Sequence, residues 1–229
     1  MGKAAVRPKF DTLEELLHDL GDIAPRRIRL DSLPGRATVR DVVRLNERGT
    51  QLYELVDGVL VEKVMGRKES LLASRIITAM SVFAELHDLG DVTGEAGTYR
   101  IVPDLVRAPD VAFTSWARQG GKDVPDDAAP PVAPDLSVQV LSPSNTRGEI
   151  ARKLREYFFA GVRLVWIVDP KTRTVRSHTA PDEFVELAAS DTLDGGDVLP
   201  GFRLPLAKLF ARLPTPAKKP RKKNGRGRV

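Results

Sequence analysis

The chain has no cysteine, which excludes disulfides, thiolate-ligated zinc and thiol catalysis, and suits a reducing compartment such as the cytoplasm. It has three histidines, His18, His87 and His178, too far apart for metal-ligand spacing, so a histidine zinc site is not expected. No apolar run approaches the ~18 residues of a membrane span, and the first residues lack the apolar core of a signal peptide. What remains is ordinary for a soluble domain: 229 residues, 41% hydrophobic and 29% charged, enough for one good core with appendages.

The net charge of +5 is unevenly spread. Seven of the 36 basic residues fall in 217–229, leaving 29 before them against all 31 acids. The body is therefore close to neutral. The tail, 214–229, is expected to be disordered. It carries Lys218, Lys219, Arg221, Lys222 and Lys223, and serves either as a solubilising end or as a non-specific phosphate contact.

The pattern places the main domain at 37–213, after a 1–36 extension holding one short helix. Phe10, Leu13, Leu16, Leu17 and Leu20 supply that helix's spacing, with Gly21 as its stop. Thr38 to Asn46 is a second helix, capped by Thr38 and Asp41. Tyr53–Val56 and Val59–Glu62 flank Asp57-Gly58, which predicts a hairpin with a type I′ turn and Glu54 as a solvated strand acid. Arg67 to Leu89 reads as a long helix striped by Leu72, Ile76, Ala79, Phe83 and Leu86, ending at Gly90. Glu69 in its first turn suits the helix dipole. Strands follow at 97–103 and 109–114, then a long Pro/Gly loop at 115–135.

The stretch from Pro134 to Asn145 organises the rest. Leu136 to Leu141 is a short apolar run that reads as a buried strand, and Ser142-Pro143-Ser144-Asn145 turns it into a helix over 147–160. Gln139 is the anomaly within it. A buried amide without a partner costs about 1–3 kcal/mol, so Gln139 is either a satisfied core amide or a ligand aimed at a site. Residues 163–169 form the next buried strand and 175–178 an edge strand. Helices and strands in this order imply an α/β (α+β) mixed sheet with helices on both faces.

Asp110, Gln139 and Lys153 are thereby set on two strands and the following helix. Lys153 falls on the margin of the apolar stripe of Ile150, Leu154, Tyr157 and Phe158, while Arg152 points away. Phosphodiester cleavage needs an activated water and a place for developing charge. A hard divalent cation on oxygen ligands with a nearby lysine supplies both. The alternatives are structural: Lys153 as the i+4 partner of Glu149, and Asp110 as a turn residue.

Four segments sharpen the choice: Tyr53–Gly58, Ala108-Pro109-Asp110-Val111, Pro134–Asn145, and Arg152–Tyr157 running on to Trp166–Pro170. In order and spacing they resemble the PD-(D/E)XK restriction-endonuclease-like superfamily. More closely, they resemble its bacterial family of "putative restriction endonucleases", over about residues 38–210. The resemblance implies an αβββαβ core with an N-terminal hairpin, and Mg²⁺- or Mn²⁺-dependent cleavage of DNA. It assigns Asp110 and Gln139 as metal ligands and Asp110, Gln139, Lys153 and Glu54 as catalytic residues, with Glu69 as an accessory acid. A homodimer is implied by the same likeness. One departure stands out: Gln139 occupies a place usually held by glutamate. That removes one negative charge, so the resemblance implies either an impaired metal-dependent endonuclease or an inactive nucleic-acid-binding module.

Overall fold

A computed structural model describes residues 10–49 and 51–213. The basic tail, including Lys218, Lys219, Arg221, Lys222 and Lys223, lies outside the described residues. Helix α1 (Leu13–Asp19) opens the chain, followed by a 3-10 turn (Pro25–Arg27), β1 (Ile28–Arg29) and α2 (Val39–Glu47). The hairpin β2 (Leu52–Val56) and β3 (Val59–Lys63) precedes the long helix α3 (Arg67–Leu86). Then come β4 (Gly90–Gly94), β5 (Tyr99–Val102), β6 (Leu105–Arg107), β7 (Val111–Ser115), α4 (Trp116–Gln119) and β8 (Leu136–Val140). The chain continues through α5 (Arg147–Phe159), β9 (Leu164–Asp169), β10 (Thr174–His178) and β11 (Phe184–Leu187). It closes with β12 (Thr192–Asp194), β13 (Arg203–Pro205) and α6 (Leu206–Leu209).

Two larger sheets result. One has the order β11-β10-β9-β8-β7-β4, in which β8 and β9 are parallel and every other pair is antiparallel. The period of two sorts its side chains. Leu136, Val138, Val140, Trp166 and Val168 face the core shared with α3, while Val165 and Ile167 face the core shared with α5. Gln139 falls on the α5 face with them. The second sheet, β1-β3-β2-β6-β5, turns Val56, Val59 and Val61 into that same α5 core and covers its other side with α2. Residue alternation on β2 therefore drives Glu54 inward, toward α5.

The αβββαβ core is present as α3-β4-β7-β8-α5-β9, with helices on both faces. Its first strand differs from the expected one. Gly90 opens β4 instead of ending α3, which stops at Leu86, and Leu86 itself is exposed. The 97–103 segment belongs to the second sheet, where β5 pairs with the unanticipated β6. Strand β10 is interior, since β11 pairs outside it. The hairpin follows the expected turn: Asp57 and Gly58 both have positive φ, 49° and 72°, and Val56 pairs with Val59. The long loop is fixed to the second sheet, where the Arg100 amide donates to the Pro130 carbonyl at 3.1 Å.

The extension docks on α5. Leu16, Leu20 and Ile23 enter the α5 core, and β1 pairs with the β3 edge. Contact is backbone to backbone at Gly21: a Cβ there would lie 2.3 Å from the Glu149 amide nitrogen, and the residue also has φ +84°. Gly148 meets Gly21 from the other side, 2.8 Å from its carbonyl oxygen to an added Cβ. Two glycines are thus what lets the two segments approach.

Candidate active site

Glu54 is fully buried, not a solvated strand acid. Lys153, also buried, places its Nζ 3.1 Å from Glu54 Oε1 and 3.0 Å from Oε2. Arg107 Nη1 donates to Glu54 Oε2 at 2.8 Å, and the Ala108 amide donates to Oε1 at 3.1 Å. Burial works against the Glu54 charge, yet Lys153, then Arg107 and Lys63, overcome it and hold the carboxyl well below its ordinary 4.5. Arg107 also donates through Nε to Glu156 at 2.8 Å. Burial opposes its charge as well, and Glu156 and Glu54 push its pKa up regardless.

Asp110 stands just before β7 and is buried. The Val140 amide donates to its Oδ2 at 2.5 Å, which ties it to the end of β8. Its Oδ1 lies 2.7 Å from Lys63 Nζ. Lys63 also donates to the Ala108 carbonyl, so the backbone N–H and C=O of Ala108 join the Glu54–Lys153 half of the site to the Asp110–Lys63 half. Gln139 meets the need of a buried amide by donating from Nε2 to the Tyr157 hydroxyl at 3.0 Å. Tyr157 lies one helical turn beyond Lys153, and burial raises its pKa well above the ordinary range.

Glu149 extends the network outward. Arg27 grips it with both Nη atoms, at 2.9 and 2.8 Å, and Lys153 Nζ is 3.8 Å from its Oε1. Burial raises the Glu149 pKa, but Lys153 and Arg27 lower it further than burial raises it. The helix-surface reading of the Glu149–Lys153 pair is corrected here, because both side chains are buried and Lys153 is closer to Glu54 than to Glu149. Glu69 is buried at the start of α3 but makes no hydrogen bond or ion pair to these residues.

Glu54, Asp110 and Lys153 thus enter one buried cluster, joined through Lys63 and Ala108. Gln139 is also buried, and its amide is bonded to Tyr157. Among the described residues, Asp110, Gln139 and Lys153 make no direct hydrogen bond to one another. Sequence reasoning missed Lys63, Arg107 and Arg27. The hairpin register held a clue to Lys63. Glu54 pairs with Val61, so Val59, Val61 and Lys63 share its face of the sheet.

Acid should loosen this cluster. Glu54 and Glu149 have lowered pKa values, so their contribution is present above about pH 4.5, the ordinary value of each, and is lost as pH falls toward the lowered values. The urea midpoint is expected to fall progressively below that pH, and to fall less steeply in Glu54→Gln. An equal pH slope in the variant would remove Glu54 as a cause.

The match to family models identifies the class. Residues 39–207 match the Uma2 family, described as "Putative restriction endonuclease". A solved structure of a "putative nuclease belonging to DUF820" from Anabaena variabilis ATCC 29413 superposes with a TM-score of 0.60 at 18% identity. The alignment covers 70% of this chain and 90% of that one. The fold is therefore restriction-endonuclease-like, and the chain belongs to the Uma2 family of putative restriction endonucleases. No curated protein matches it. No described helix is long and apolar enough to cross a membrane.

The family likeness implies a divalent cation, and the donors as they stand do not fit one. Among the described residues, no group of three or more acidic or histidine side chains is placed to hold a metal ion. Both Glu54 oxygens are taken by cations and an amide, and an ammonium already sits on Asp110. Gln139 offers only a neutral amide oxygen.

Proposed function

We propose that this protein is an endonuclease-family protein acting on DNA, with its cleavage site held in a charge-paired resting state. The buried Lys63–Asp110 pair beside the Glu54–Lys153 pair carries this reading. Buried ion pairs seldom improve stability over apolar packing, so a cluster this rich in them is better explained as a site than as a brace. In the proposed reaction Glu54 fixes the Lys153 ammonium, and Lys153 meets the charge on a phosphate oxygen. Asp110, anchored by the Val140 amide, presents a carboxylate once Lys63 leaves it. Asp110 and Gln139 would hold Mg²⁺ or Mn²⁺ only with the Lys63 ammonium displaced from Asp110, and the cation would there supply an activated water.

The test is nicking of supercoiled plasmid with Mg²⁺ or Mn²⁺. Metal-dependent nicking is expected, falling by about 100-fold or more in Asp110→Ala. Nicking that survives this change would refute the assignment of Asp110. A second reading, a non-cleaving nucleic-acid-binding module, is favoured by the amide at Gln139 and the ammonium on Asp110. It is supported if the protein binds DNA but nicks it with neither metal.

A further inference from the structure

Across α5 from the buried cluster lies a cavity of about 680 Å³. Its walls are the turn from β8 into α5, the outer side of α5, and the β10–β11 hairpin. Its cations differ from those of the cluster. Arg27, Arg107 and Arg152 are each matched by carboxylates. Arg147, Arg155 and Arg176, which line the cavity, have no ion-pair partner among the described residues. Two acids share the wall. Asp169 accepts from the Lys171 and Thr172 amides, and Asp182 acts on His178, so three arginines face two carboxylates there. The excess is positive, and the N-terminus of the 13-residue helix α5 adds its partial charge at Arg147.

The same cavity has an aromatic side. Arg176 lies over the Phe184 ring, 5.5 Å from its centroid, and the His178 ring is 4.8 Å from the same centroid. Phe184 is 46% exposed, so one part of its ring is open to a partner. His178 is 2% exposed, and neither ring nitrogen has a hydrogen bond of ordinary geometry, although the Ala180 and Pro181 backbone lies close. Burial lowers its pKa, and the nearby Ala180 and Pro181 backbone offsets only part of that. Unmet groups of this kind are costly to bury, and a polar ligand edge would relieve them.

From the three unpaired arginines, the exposed ring and the unsatisfied imidazole around one cavity, we infer a second nucleic-acid subsite that takes a nucleotide of a single strand. The arginines and the helix N-terminus hold its phosphate. Phe184 stacks against its base, and the imidazole meets a polar edge of that base. This extends the proposed action on DNA, on which it rests for the identity of the strand. The cavity and the cleavage cluster lie on opposite sides of α5, so the helix would separate the strand being held from the bond being cut.

The experiment uses the full chain without divalent metal, so that binding is read apart from cleavage. A single-stranded oligonucleotide is titrated and its fluorescence anisotropy followed at several salt concentrations. The triple variant Arg147→Ala, Arg155→Ala, Arg176→Ala is expected to bind about 10-fold more weakly or worse. Its slope of log affinity against log salt should be shallower by about 2, three contacts at roughly 0.7 each. Phe184→Ala should weaken binding by about 10-fold with little change in slope. The imidazole ¹⁵N signals of His178, identified by comparison with His178→Gln, should move on adding the oligonucleotide and far less on adding inorganic phosphate. Unchanged affinity and slope in the triple variant would overturn the subsite while leaving DNA binding intact. Equal His178 shifts with phosphate alone would overturn the base contact. Loss of all DNA binding by the native protein would bring down both the subsite and the proposed function.

Discussion

Lys153→Met is expected to cost the fold about 3–5 kcal/mol, read as a shift in urea unfolding at neutral pH. The reason is not the strength of the pair itself. Glu54 is fully buried with three donors around it, and Lys153 contributes most to keeping its carboxyl ionised. Removing the ammonium leaves Arg107 shared between Glu54 and Glu156, and an acid in low dielectric without its main counter-charge. Glu54→Gln strands Lys153 in the converse way and should cost a similar amount. The double variant Lys153→Met, Glu54→Met should recover much of the loss, because two apolar groups replace two charges. Single losses below about 1 kcal/mol would mean that water reaches the pair, as it does for surface pairs.

The second large effect concerns Lys63. Lys63→Met removes a positive charge 2.7 Å from Asp110 and frees its Oδ1. Mn²⁺ affinity, measured by calorimetry, is expected to rise by about 10-fold or more, since one unit charge at contact distance is worth several kcal/mol at a protein's effective dielectric. Gln139→Glu should add a further gain by restoring a carboxylate, and the combination should bind most tightly. Asp110→Ala should erase the gain in every background. If Lys63→Met leaves Mn²⁺ affinity where it was, Lys63 is not a competitor for the metal position.

Local signals in the chain were legible where the physics is local. The Asp57-Gly58 turn follows from the positive φ at both residues, which those two residue types tolerate. Gln139 was legible as a residue in need of a partner, although nothing short of the fold could name Tyr157 as that partner. The membership of Asp110, Lys153 and Glu54 in one region was legible from the order of motifs. Their burial was not, because it depends on the second sheet folding over α5. Gly90 misled because glycine both ends helices and begins strands; the pairing of Gly90 with Ser115 decides the matter, and that is a long-range contact. Strand β6 has only three residues, Leu105 to Arg107, too few to show alternation, so Arg107 passed unnoticed. Arg27 was hidden for another reason. It sits in an extension whose register on β3 no local pattern specifies.

That extension redraws the borders of the domain. Similarity to the family begins at residue 39, yet Arg27 neutralises Glu149 and β1 shields the flank of β3. A fragment trimmed to the matched stretch would bare a raw strand margin and orphan a buried acid, the two defects that turn a folded module sticky. The unit that evolution labels and the unit that can stand alone in water are, for this chain, different lengths.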